Sequence, residues 1–276
     1  MSIYKPTGHY CLNRNSPQSV GLVGWWPGFA GGGGSNLFDK SGNGNNGTLT
    51  NFASPFTSTS GWAYGKDGGK GALAFDGTND YVNCGSGVIA ALSNTKVTAM
   101  CWIFPTGDLT AYLSVFDNST DGSKTGRQVC VFLGGAANHI YVNISGSPGN
   151  EIVMSDSWVN NVWQHLAMTC DGSIIRVFRN GISVGSGSDI GPGFTATPFL
   201  IGGNTSSGGG YYAGNQEDVR VYKRALSPSE IWKIYDPVTR WQLRYVPGRV
   251  NYSFGVSSST PSGLLLARRR RMALCS

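Results

Sequence analysis

Acid and imidazole are scarce in this 276-residue chain: there are three glutamates (Glu151, Glu217, Glu230), three histidines (His9, His139, His165), and 13% charged residues in all. A helical protein covers its surface with Lys and Glu, so this composition speaks against one. No apolar run approaches the ~20 residues that a membrane-spanning helix needs. The first 18 residues are polar and carry Asn and Pro, so no apolar export-signal core is legible there. The six cysteines show no Cys-x-x-Cys spacing, and Cys101, Cys130 and Cys170 fall inside apolar runs. Free, mostly buried thiols are therefore expected, not a disulfide framework or a zinc site.

What is abundant is glycine, 41 residues, together with 12% aromatics. That combination belongs to short strands joined by tight turns. Residues 39–47, Asp-Lys-Ser-Gly-Asn-Gly-Asn-Asn-Gly, are too rich in Asn and Gly for a regular strand and read as a loop. Apolar strand patterns follow at 72–75, 81–84, 97–104, 129–133, 140–144, 163–170, 174–178, 199–202 and 219–222. Asn180-Gly181 supplies the two positive-φ positions of a type I′ hairpin turn. One helix is signalled: Ser227 as N-cap, Pro228 at the first helical position, Glu230 closing a capping box, and an apolar stripe of Ile231, Ile234 and Tyr235 that Pro237 ends. The pattern predicts an all-β antiparallel sandwich with one short C-terminal helix and extended termini: an arm over 1–20, one domain over 21–236, and a basic tail over 237–276.

Charge is unevenly placed. The net charge of +6 arises after Asp236, where Arg240, Arg244, Arg249, Arg268, Arg269, Arg270 and Arg271 have no acid to balance them. The remaining body is close to neutral, which argues against a nucleic-acid-binding face on the domain. Trp241 and Tyr245, interleaved with the first arginines, favour an arm that clamps other copies or other proteins, since such arms need apolar anchors as well as charge. A phosphate-contacting end and a solvated one stay open as alternatives.

Six motifs in order resemble one family, the laminin-G-like, concanavalin A-like jelly-roll domains. They are Leu22-Val23-Gly24-Trp25-Trp26, the Asp39 to Gly47 loop, Phe75-Asp76-Gly77-Thr78-Asn79-Asp80-Tyr81-Val82, Trp163-Gln164-His165-Leu166, Phe178-Arg179-Asn180-Gly181, and Glu217-Asp218-Val219-Arg220-Val221-Tyr222-Lys223-Arg224-Ala225-Leu226-Ser227. The resemblance implies two stacked antiparallel sheets with loops free for ligands. Loops rich in Asn, Asp and Gly supply the oxygens that calcium takes, which makes Asp39, Asn43, Asp76 and Asp218 candidate ligands. The resemblance implies that Asp39 and Asp218 can share a structural calcium joining the first loop to the last strand. The competing reading is that Asp39 and Asp76 cap turns and Asp218 pairs with an arginine. The arginine-rich end also resembles phage-encoded versions of the domain.

Related sandwiches include laminarinase-type hydrolases, which need two carboxylates about 5 Å apart. Their Glu-x-Asp-x-x-Glu pattern is missing, and the adjacent Glu217 and Asp218 are expected to point to opposite faces of a strand. No enzyme is therefore expected. Glycan or partner binding is assigned to aromatics in Gly-rich surroundings, Trp62, Tyr64 and above all Tyr211 and Tyr212. The resulting expectation is a non-catalytic structural protein on a phage capsid or tail surface, touching capsular or cell-surface glycans; the alternative is a secreted bacterial or eukaryotic carbohydrate-binding or adhesion module.

Overall fold

The computed structural model describes residues 10–28, 34–92, 96–107, 112–118, 129–134, 139–143, 152–154, 158–188, 196–204 and 210–245. Along the chain the strands are β1 (Cys11–Leu12), β2 (Leu22–Trp26), β3 (Asn36–Leu37), β4 (Gly47–Thr50), β5 (Gly61–Tyr64) and β6 (Lys70–Asp76). Next come β7 (Tyr81–Asn83), the one-turn helix α1 (Gly87–Ala90), β8 (Lys96–Pro105), β9 (Leu113–Asp117), β10 (Cys130–Gly134) and β11 (His139–Asn143). The chain continues with β12 (Ile152–Met154), β13 (Gln164–Asp171), β14 (Ile175–Arg179), β15 (Ile182–Gly187), β16 (Leu200–Ile201) and β17 (Ala213–Tyr222). Helix α2 (Pro228–Tyr235), a 3₁₀ turn at Arg240–Leu243 and β18 (Arg244–Tyr245) complete the described chain.

All strand pairings are antiparallel. The first sheet runs β12-β11-β10-β9-β16-β7-β4-β3, and the second β15-β14-β13-β8-β17-β6-β5 with β2 also on β17. Neighbours distant in sequence lie side by side, as in a jelly roll. The antiparallel sandwich that the strand pattern predicts, and the jelly roll that the resemblance implies, are present.

Alternation sets what faces inward. Val82, Val115, Val131, Ile140 and Ile201 from the first sheet meet Val97, Cys101, Ile103, Leu166, Val177 and Val221 from the second in one continuous core. Each such side chain contributes roughly 1.5–3 kcal/mol on burial. Trp26 stacks on Phe199 at 5.9 Å within this layer. Cys84, Cys101, Cys130 and Cys170 are buried free thiols, as expected. Cys11 departs from that expectation, because it is disulfide-bonded.

Local signals are realised where they are strongest. Asn180 and Gly181 take φ of 52° and 79° between β14 and β15. Helix α2 has its capping box, with Ser227 Oγ accepting from Glu230 N and the Glu230 carboxylate accepting from Ser227 N. Its stripe packs on the outer side of the second sheet, where Ile231 and Ile234 join Met100, Ala167, Phe178 and Tyr222.

The expected termini need correcting at both ends. The expected arm, as far as it is described, belongs to the body: β1 pairs with β18, and Gln18 is buried. The expected tail also starts inside the body, since Arg240, Leu243 and Arg244 are buried. Apolar contact explains both: Tyr10, Trp25 and Leu243 form one small cluster against the outer face of the second sheet. Arg249, Arg268, Arg269, Arg270 and Arg271 lie outside the described residues.

Candidate functional site

The outer face of the first sheet gathers the side chains suited to a polar ligand. Because Leu49, Val82, Val142, Ile140 and Ile201 point into the core, their strand neighbours Thr48, Thr50, Tyr81, Asn83, Tyr141 and His139 point out. Tyr112, just before β9, meets Tyr141 edge-on with ring centroids 5.2 Å apart, and His139 lies 5.9 Å from the same ring. Tyr112 is exposed, and Tyr141 and His139 are half-buried. Tyr211 and Tyr81 come together over Gly203, where a Cβ would stand 2.5 Å from that of Tyr81 and 3.2 Å from the Tyr211 ring. A side chain at 203 would part them. Towards the β4 edge the same face becomes a polar trough of about 580 Å³, lined by Asn45, Asn46, Thr48, Thr50 and Asn83. Rings at one end and amides and hydroxyls at the other can hold a sugar by stacking and by hydrogen bonds.

The aromatic residues that the sequence singles out are dispersed in the fold. Tyr211 is half-buried on this face. Tyr212 is fully buried, with its ring edge-on to Phe75 at 6.0 Å and its hydroxyl 3.3 Å from the Asn215 carbonyl to which it donates. It is a core residue and no platform: consecutive residues of an extended chain point to opposite sides, so only one of the pair can face out. Trp62 is half-buried against the core at the β5 edge of the second sheet, where its Nε1 donates to the Gly34 carbonyl (3.3 Å). Tyr64 is 69% exposed on that edge strand, away from the ring cluster. The residues missed, Tyr81, Asn83, His139 and Tyr141, could have been found as the alternate positions of strands whose other positions are apolar.

The residues foreseen as calcium ligands have other duties. Asp39 Oδ1 accepts from Trp25 N (3.0 Å) and Ser41 N (2.8 Å), and Oδ2 from Ser41 Oγ (2.8 Å) and Asn45 N (2.9 Å). Asn43 turns its NH₂ to the carbonyls of Leu22 (3.2 Å) and Val23 (2.9 Å). Asp76 caps its own turn through Thr78 N (2.8 Å). Asp218 takes Trp25 Nε1 and the Arg220 guanidinium, both at 2.7 Å. First loop and last strand are thus joined through Trp25, held by Asp39 at its main chain and by Asp218 at its indole. Oxygens surrounded by N–H and O–H donors do not fit a calcium ion, and among the described residues no three His, Cys, Asp or Glu come together. Chelation with EDTA is expected to leave the melting temperature unchanged; a fall of several degrees would reinstate the metal.

A second cluster occupies the outer face of the second sheet. Glu217 and Asp218 were expected on opposite faces, but they share this one. The reason is a bulge: Asp218 takes φ of 56°, and the β17–β8 register shifts between Glu217 and Arg220. Both are buried, Glu217 under Lys66 N (2.8 Å). Burial alone would raise the Asp218 pKa, but the charges of Arg220 and Arg244 outweigh it and hold it down at about 2. Burial first, then the neighbouring Arg240, lowers Lys66 to about 8. His165, enclosed between Trp102 and Tyr235, is pushed down to about 3 by burial, reinforced by Arg220. Arg240 and Arg244, expected to reach other molecules, are instead packed here over Trp241, at 4.3 and 4.7 Å from its ring.

With the sheets and both faces defined, comparison with known proteins is decisive at the level of family. The family model described as the concanavalin A-like lectin/glucanases superfamily, of laminin-G type, matches residues 76–232. The chain belongs to this superfamily. Solved structures agree in fold. Domain 4 of AbnA, an extracellular arabinanase from Geobacillus stearothermophilus solved with arabinotriose, is 20% identical with a TM-score of 0.58 over 78% of this chain and 98% of that one. Trypanosoma rangeli sialidase with sialic acid is 16% identical, TM-score 0.58, over 78% of this chain. The binding domain of Paraclostridial Mosquitocidal Protein 1 is 16% identical, TM-score 0.52, over 79% of this chain. The match covers 32% of the sialidase chain and 52% of the mosquitocidal binding domain, so this concanavalin A-like chain spans only part of each. Identities this low establish the fold alone. No helix among the described residues is long and apolar enough to cross a membrane.

Proposed function

We propose that this chain is a non-catalytic glycan-binding module whose recognition face is the outer surface of the first sheet. The observation that carries the reading is the joining, on one sheet face, of the Tyr112–Tyr141–His139 ring cluster with the trough of Asn45, Asn46, Thr48, Thr50 and Asn83. Solved neighbours that hold arabinotriose or sialic acid support a carbohydrate partner. The setting, the outside of a phage capsid or tail, rests on the resemblance of the motifs and of the arginine-rich end to phage-encoded domains.

Two observations support the absence of hydrolysis. On the strands of the recognition face Asp117 is the one acidic residue among those described, and it is buried and accepts from the Cys130 thiol at 2.7 Å. Most glycosidases, the laminarinase type included, use two carboxylates at the scissile bond. Glu217 and Asp218 do lie side by side, but they are shut under aromatic and cationic side chains on the opposite sheet. A role as acid is closed to Asp218, whose proton is lost far below neutrality.

A glycan array followed by titration calorimetry tests the reading. The wild-type chain is expected to retain a defined set of oligosaccharides, and Tyr141→Ala to weaken them about tenfold, the loss of roughly 1.4 kcal/mol of stacking. Tyr64→Ala, on the edge of the other sheet, is expected to bind as wild type. Retention of no glycan by the folded protein, or equal loss in both variants, would refute the assignment.

A further inference from the structure

Buried charge that lacks an opposite is costly, and proteins keep it where something neutralises it. The outer face of the second sheet holds such a case. Its cations are Lys66, Arg220, Arg240 and Arg244, and its acids are Asp67, Glu217 and Asp218. Asp67 pairs with Arg240 and Lys66, Asp218 with Arg220 at 2.7 Å, and Glu217 accepts from Lys66 N at 2.8 Å. Arg244 meets no carboxylate within ion-pair distance among the described residues.

Donors are left over in the same place. Arg240 Nε, Arg244 Nε and Nη1, and Trp241 Nε1 are all buried and meet no acceptor among the described residues. They come from one five-residue segment, and the two guanidinium groups lie against the same indole, at 4.3 and 4.7 Å from the Trp241 ring. Tyr10 and Trp102 complete the aromatic walls, with Arg244 4.6 Å from the former ring and Arg240 5.4 Å from the latter. Crowding of like charge has a second sign: burial and then Arg244 lower the Arg240 pKa to about 10.

We propose that the segment from Arg240 to Arg244 is a binding site for a compact oxyanion (sulfate, phosphate or carboxylate) held by Arg240 Nε, Arg244 Nε and Nη1, and Trp241 Nε1. Charge selects an anion over water here, and planar guanidinium forks grip two oxygens at once. The site is on the sheet opposite the recognition face and is independent of the sugar reading. It gives the Arg240–Arg244 segment a partner other than nucleic acid: a single small anion that fastens this turn to the sheet.

Thermal unfolding and titration calorimetry of the whole chain test this. Sodium sulfate, phosphate and acetate are each exchanged for chloride at fixed ionic strength, up to about 10 mM, below the range in which sulfate stabilises by exclusion. At least one is expected to raise Tm saturably by a few degrees with one ion bound per chain. A response to acetate alone assigns a carboxylate, and a response to sulfate or phosphate assigns a tetrahedral ion. Arg244→Gln is expected to abolish the response. Trp241→Phe, which keeps a ring under the guanidinium groups and removes one donor, is expected to weaken binding severalfold and guards against a folding failure of the arginine variant. Wild-type protein indifferent to all three ions, or variants that respond as it does, would overturn the proposal.

Discussion

Asp218→Asn is expected to destabilise the protein by about 3–5 kcal/mol, the cost of leaving one member of a buried ion pair uncompensated. Arg220 is among the largest fully buried side chains, and its partners are Asp218 at 2.7 Å and Gln18 Oε1 at 3.0 Å. Neutralising the carboxylate leaves the guanidinium charge inside with an amide on one side. Asn tolerates the positive φ of 56° at this position, so backbone strain does not enter. The comparison is Arg224→Ala. Arg224 grips Glu230 with two bonds of 3.0 and 2.7 Å, better geometry on paper, but both side chains are about 30% exposed. Solvent screening limits its loss to about 1 kcal/mol or less. Urea unfolding of the two variants decides: equal losses would mean that the buried pair is hydrated in solution.

Stability is expected to fall as pH drops below about 6.5, chiefly through His165. The sign follows from linkage. Burial lowers the folded-state pKa to about 3, against 6.5 for a free imidazole, so between these values the unfolded chain binds a proton that the folded chain refuses. Stability is therefore complete above 6.5 and is lost as pH falls towards 3, at up to about 1.4 kcal/mol per pH unit. Asp218 and Glu230 both stand at about 2, below their ordinary values, so their contribution is lost only at lower pH, from about 4 downwards. His165→Phe keeps a ring between Trp102 and Tyr235 and removes the titration. Its Tm is expected to stay flat between pH 6.5 and 4.5 while wild type declines. Parallel curves would show that another group carries the effect.

Local chemistry explains what was readable before the fold was known. The capping box at Ser227 and Glu230 and the type I′ turn at Asn180-Gly181 depend on residues within three positions of one another, so their signals survive in the sequence. The alternating strands are legible for the same reason, and with them the sandwich. The phase of an alternation is less so: Tyr211 and Tyr212 are chemically alike, and only the tertiary contacts of Tyr212, whose N–H donates to the Gly202 carbonyl and whose ring meets Phe75, place the second in the core. A single left-handed residue at 218 then reverses the expected division of Glu217 and Asp218 between faces.

The sequence by itself determined the class of this protein: two antiparallel sheets, one capped helix, and buried thiols in apolar strand patterns. Tertiary structure decided what each polar and aromatic residue is for. Tyr112, Tyr141 and His139 become one cluster because β9, β10 and β11 lie side by side; Arg244 turns inward because Tyr10 and Trp25 offer an aromatic surface there, and Arg240 because Trp102 does. The physical reason is range. Strand and turn preferences act over two to four residues, while a binding face or a buried charge cluster is assembled from positions more than two hundred residues apart, such as Gln18 and Arg220.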